Sequence, residues 1–188
     1  MPLTTLEPRT ALIVVDLQVG ILGHPTIDPA GQIVARAGAL ADAFRSHGLP
    51  VVLVNVDGAP ATRTDRNPTG AGRRLPAELT ALVEDLHQQP SDHTVTKRTW
   101  GAFTGTGLGE HLAGLGVTHV VLAGIATSIG VESTARQAHE NGFHVTVAVD
   151  AVTDTSAEAH ENSITRIFPR LGETGTTQDV IDLLARTR

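Results

Sequence analysis

Four short stretches of this chain, residues 10–15, 50–54, 117–123 and 144–149, are β-branched and apolar almost without interruption. A strand with one wet face alternates polar and apolar residues. An unbroken apolar run marks a strand buried on both faces, as in a parallel sheet between two helical layers. Helical patterns fill the intervals at 30–47, 76–87, 129–141, 156–168 and 177–186, several of them ended by Gly or Pro. Strand and helix in alternation predict a parallel sheet covered on both sides. A weaker strand ends at Lys97, and the segment 167–175 reads as a short last strand that Pro169 confines to an edge. Val180, Leu183 and Leu184 then face the sheet from a final helix.

The same spacing of elements runs through all 188 residues, of which 40% are apolar, so residues 1–188 are expected to form one domain with a sizeable core. A net charge of −6 with no basic stripe speaks against a nucleic-acid surface. There is no signal-like N-terminus and no apolar run long enough to span a bilayer, which makes a cytoplasmic enzyme or binding protein of small molecules the default, with no membrane partner. The absence of cysteine removes disulfides, thiolate chemistry and Cys-type metal sites together. Nine histidines are present, none at a tight ligand spacing, so neither a metal nor another cofactor is expected.

One connection breaks the rhythm. Residues 57–74 are polar, lack periodicity and leave the sheet after the second strand, at the carboxyl edge where α/β proteins hold their ligands. Arg63, Arg66, Arg73 and Arg74 in this loop would meet an acidic substrate if the loop folds over that edge, and otherwise only aid solubility.

Three places along the chain carry chemistry. Asp16 ends the first strand, where burial would raise its pKa toward proton transfer and a nearby cation would lower it again; taken alone it reads rather as a turn cap. Lys97 ends a later strand, and beside Asp16 its ammonium would orient the carboxylate and hold developing negative charge. Gly124-Ile-Ala-Thr-Ser-Ile-Gly130 follows the apolar run 119–123 and opens a helical pattern, so its unpaired backbone N–H groups point at whatever stands in front. Trp100 and Phe103, in a chain poor in aromatics, are expected to line a pocket or a subunit contact. His139 and His160 read as packing or surface residues, and Asp150 as a carboxylate holding loop amides near the site.

The order Val14-Val-Asp-Leu-Gln18, Lys97-x-x-x-Gly-Ala-Phe103, and Gly124-Ile-Ala-Thr-Ser-Ile-Gly-Val-Glu-Ser-Thr-Ala135 followed by Val149-Asp-Ala151 resembles the isochorismatase-like hydrolase family over nearly the whole chain. That resemblance implies a three-layer α/β fold with a doubly wound, mostly parallel six-stranded sheet, assembled into homodimers or larger homo-oligomers. It implies a catalytic aspartate at Asp16 and a lysine at Lys97. Gly130 stands where most members carry a nucleophilic cysteine. Ile125-Ala126 matches a peptide that is cis in many members and would bring the Ala126 amide into the pocket. The metal-binding branch has an Asp and two histidines after the second strand, whereas here Asn55-Val-Asp-Gly58 is followed by no histidine until His87.

Without the thiol, an acyl-enzyme is out of reach. A glycine at this position resembles the isochorismatases proper, which implies hydrolysis of a vinyl ether in a small, acidic substrate. Asp16 would supply the proton, Lys97 would orient it, and the amides near Ala126 and Gly130 would bind a substrate oxygen. The alternatives are an amide or ester hydrolase using an activated water, Ser128 or Thr127, and a family member that only binds ligands. Thr127 and Ser128 show no histidine base in sequence and would serve well as helix caps.

Overall fold

In a computed structural model that describes residues 3–187, six parallel strands form one sheet: β1 (Thr10–Val15), β2 (Val51–Val56), β3 (His93–Lys97), β4 (His119–Ile125), β5 (His144–Thr153) and β6 (Glu173–Gly175). Their spatial order is β3-β2-β1-β4-β5-β6. The chain winds outward from β1 through β2 to β3, returns to the middle at β4, and winds out the other way. The fold is therefore doubly wound, and its reversal between β1 and β4 opens a crevice beyond their carboxyl ends.

The long helices are α1 (Ala30–Ser46), α2 (Leu108–Gly114), α3 (Glu132–Glu140), α4 (Ala157–Asn162) and α5 (Thr177–Thr187). Leu12, Val14, Leu53 and Val121 point to one face of the sheet, where α1 and α5 cover them with Ile33, Leu40, Phe44, Val180 and Leu184. Ile13, Val15, Val52, Val54 and Leu122 point to the other face, against Leu108, Leu112, Val131 and Ala135. Every residue of β1 and β4 is buried, which is why these strands read as apolar runs broken only at their first residues, Thr10 and His119.

Two expectations need correction, and one helix had no expectation at all. Residues 76–87 form no continuous helix, only the turns Ala77–Thr80 and Glu84–Leu86. Between them the backbone bonds are taken up elsewhere: Val19 N–H donates to the Ala81 carbonyl at 3.0 Å and Val83 N–H to the Leu17 carbonyl at 3.2 Å. Pro169 lies in no strand. It occupies the short helix Phe168–Leu171, near a start where its missing N–H costs nothing, and the last strand is only the three residues of β6. The glycine-rich segment that forms α2 gave no helical signal in sequence.

Candidate active site

The carboxyl ends of β1, β3 and β4 build the site. Asp16 follows β1 directly, and its φ of 54° places it in the left-handed region that L-residues seldom adopt. Two bonds hold it there: its N–H donates to the Val54 carbonyl at 2.9 Å, and its carbonyl accepts from Gln18 N–H at 2.8 Å. Gln18 is itself fully buried. Its amide accepts from Val56 N–H at 2.7 Å and donates to the carbonyls of Val56 and Leu79, tying the ends of β1 and β2 together.

Lys97 ends β3, two strands away, and reaches across so that Nζ lies 2.7 Å from Asp16 Oδ2. It also donates to the Thr99 carbonyl at 3.1 Å. Asp16 is 6% exposed and Lys97 2%. Burial pushes the Asp16 carboxyl up to about 6, although the Lys97 ammonium pulls against that rise. Asp16 Oδ1 is buried and has no hydrogen-bond partner among the described residues.

Beyond β4 the chain turns through the cis peptide Ile125–Ala126 into a widened π turn, Thr127–Val131, that leads into α3. Gly124, at φ 122°, lies opposite Val15, against whose backbone any side chain would collide. A Cβ on Gly130 would stand 3.1 Å from Asp16 Oδ2 and 3.2 Å from the Ile125 carbonyl oxygen. Gly130 thus faces the ion pair directly.

Three side chains brace this turn. Asp154, buried after β5, accepts from Ser128 N–H at 2.7 Å and from its hydroxyl at 2.8 Å. Fully buried Thr134 donates to the Gly130 carbonyl at 2.7 Å and accepts from Ala102 N–H at 3.1 Å, bonding the turn to the segment that follows Lys97. Thr127 Oγ1 lies 2.9 Å from His160 Nδ1, so Thr127 has the histidine neighbour that sequence did not reveal. Neither Thr127 nor Ser128 lines the cavity in front of the ion pair, and each hydroxyl is engaged within the protein.

That cavity has a volume of about 280 Å³. Asp16, Lys97, Gly130, Ile125, Ala126 and Trp100 all line it, so six of the seven predicted site residues converge. Trp100 stands at the mouth, 65% exposed. Phe103 does not line it: the ring packs on Phe143, 5.8 Å between centroids, because the chain after Trp100 turns back toward α3. The loop arginines Arg63, Arg66, Arg73 and Arg74 are absent from the lining as well. Gly58 and Ala59 pair with Arg74 and Arg73 in a short antiparallel ladder, so only the start of the loop, Gly58, Ala59 and Pro60, reaches the cavity. Asp150 is not at the site; it accepts from the Thr177 N–H and hydroxyl at the start of α5 and pairs with Arg36.

Sequence reasoning missed Ile21, His24, Val56, Arg98, Thr99 and Thr155 in the lining. Arg98 and Thr99 were findable, since they directly follow Lys97. Among the described residues no group of three or more His, Asp or Glu side chains is placed to hold a metal ion. No helix among them is long and apolar enough to cross a membrane.

The isochorismatase-domain family profile matches residues 10–179. The chain belongs to the isochorismatase family. An uncharacterized isochorismatase family protein of Bacillus subtilis (strain 168) is 43% identical over 179 residues, covering 93% of both chains. The solved structure of an isochorismatase family protein from Burkholderia thailandensis superposes with a TM-score of 0.91 at 44% identity, over 96% of this chain and 98% of that one. A maleamate amidohydrolase of Pseudomonas putida is 29% identical over 186 residues, 94% of this chain and 87% of its own. The chain is accordingly a hydrolase of this family, built around the family's sheet and lacking the cysteine on which a thiolate mechanism depends.

Proposed function

We propose that this hydrolase cleaves the vinyl ether of a small acid of the isochorismate type, by acid catalysis and without a covalent intermediate. One observation carries the reading: a carboxyl pushed up to about 6 lies beside Lys97 and faces a glycine where a nucleophile would have stood. Asp16 gives its proton to the terminal CH₂ of the enolpyruvyl group, and the ether carbon becomes an oxocarbenium ion. Water adds to that carbon and returns a proton to Asp16. The hemiketal then collapses to pyruvate and the ring alcohol, so atoms and charge balance.

Each neighbour has a part in this scheme. Lys97 is a fixed cation beside the carboxylate that Asp16 becomes after donating its proton. Gly130 leaves substrate or water the space that a side chain would fill, and the amides of the turn from Ala126 to Gly130 serve as donors to a substrate oxygen. Positioned proton transfer of this kind is worth roughly 10² to 10⁴ in rate. A hydroxyl nucleophile is disfavoured because Thr127 and Ser128 do not reach the cavity. The apolar side chains exposed near the mouth, Trp100 and Ile129, suit a contact in a homo-oligomer.

The test is release of pyruvate from isochorismate by the purified protein, with Asp16→Asn alongside. Turnover by the parent and its loss in the variant support the reading. A parent that releases no pyruvate overturns it for this substrate.

A further inference from the structure

Arg98 lines the same cavity, next to Lys97 in sequence, and its side chain is 60% exposed at the rim. Its Nε donates to Asp57 Oδ1 at 3.1 Å. Arg74 Nη1 donates to the other oxygen of that carboxylate at 2.5 Å. Two guanidiniums thus share one carboxylate, and the group keeps one unit of positive charge. Lys97 and Asp16 form the other ion pair at the cavity, and among the described residues Asp16 is the only acidic one in the lining.

Because Asp57 engages Arg98 through Nε, the two terminal nitrogens of the guanidinium have no hydrogen-bond partner among the described residues. They form a planar fork matched to a carboxylate. The nearby walls are apolar: Val56, Ile125, Ile129 and Trp100.

We infer that Arg98, held by Asp57 and Arg74, anchors a carboxylate of the ligand at the rim and makes the cavity selective for small apolar-bodied acids over their neutral amides or esters. The anchor fixes one end of the ligand while Asp16, deeper in, meets the other. This inference rests on the cavity being the substrate site, not on vinyl-ether chemistry. It also replaces the loop arginines as the source of anion recognition.

Calorimetric titration of the full chain with benzoate and with benzamide, two probes of nearly the same shape, tests it. The parent is expected to bind benzoate roughly tenfold more tightly than benzamide, the scale of a charge-assisted bond at a partly wet site. Arg98→Gln is expected to erase that preference, and Arg98→Lys to keep part of it as a point charge. Benzamide affinity should be the same in all three. No benzoate binding, equal binding of the two probes by the parent, or a preference that survives in Arg98→Gln would each overturn the inference. Pyruvate release is measured separately, so a parent that prefers benzoate but leaves isochorismate intact sinks the proposed reaction and not the anchor.

Discussion

The two ends of β3 carry two ion pairs of opposite character. At the amino end, the Asp92 side chain is 1% exposed and fully engaged: half-buried Arg45 donates to both its oxygens, at 3.1 and 2.7 Å, and Gln89 N–H adds a third bond at 2.8 Å. At the carboxyl end, Lys97 touches only one oxygen of Asp16, and the other has no partner among the described residues. The first pair borders a groove next to the stacked rings of His93 and His111. The second opens on the cavity that the sheet's reversal creates. A buried charge whose bonding is complete locks its surroundings, whereas one left incomplete stays available for chemistry. His119, on the amino side of the sheet, follows the first pattern. Its Nδ1 accepts from Glu7 N–H, its Nε2 lies 2.9 Å from the Thr146 hydroxyl, and burial pushes it down to about 4, with His144 adding to the fall and Glu173 opposing it.

Altering each end of β3 in turn separates the two roles. Asp16→Asn keeps an oxygen for Lys97 but cannot donate a carboxyl proton, so kcat for pyruvate release is expected to fall roughly 10²- to 10⁴-fold while the circular dichroism spectrum is unchanged. A smaller loss would remove Asp16 as the acid. Arg45→Ala should do the reverse. It leaves Asp92 buried without its cation, and chemical denaturation should show a loss of about 3 kcal/mol while kcat of the folded protein stays at the parent value. If Arg45→Ala instead lowers kcat and spares stability, the division of labour between the two ends is wrong.

How far these roles were visible in sequence depended on what each residue's signal competed with. β1 and β4 are legible because burial on both faces leaves polar residues only at their first positions, Thr10 and His119; Asp16 is legible because it ends such a run, and Lys97 and Gly130 through the motifs that contain them. Arg98 was hidden by position. Four arginines in the loop 57–74 compete with it in the sequence, and a ladder to Gly58 and Ala59 holds two of them, Arg73 and Arg74, outside the cavity. Thr134 was hidden by type, since a buried threonine on α3 reads as packing until its two bonding partners are known. Pairing with residues 17–19 broke the helix expected at 76–87, a long-range effect that no local propensity contains.

A change of pH probes the carboxyl end alone. If Asp16 works as an acid, the active form is the protonated one, and its fraction declines as pH rises through about 6. The profile of kcat/KM should then fall tenfold per pH unit above that value, and the fall should disappear from whatever activity Asp16→Asn retains. A profile that rises through the same range would make Asp16 a base and favour activation of water. Stability should respond in the matching sense. A carboxyl raised from 3.8 to about 6 contributes stability that is complete below 3.8 and lost as pH rises through about 6, and Asp16→Asn should flatten that part of the denaturation profile.

The smallest expected effect separates positioning from mere packing. Thr134 does not itself line the cavity, yet its hydroxyl bonds the Gly130 carbonyl to the Ala102 amide and so sets the turn against the segment that carries Lys97. Thr134→Val keeps the shape and removes both bonds, at a cost of about 1 to 2 kcal/mol in stability. If the hydroxyl served only the fold, kcat of the remaining folded enzyme would not change. Because displacement at a reacting centre is felt in rate, kcat is expected to fall about tenfold with KM nearly unchanged, and Thr134→Ser, which restores the hydroxyl, should recover most of it. Equal kcat values for the valine and serine variants would show that the gap between Lys97 and Gly130 is set by the packing of β3 and β4 themselves.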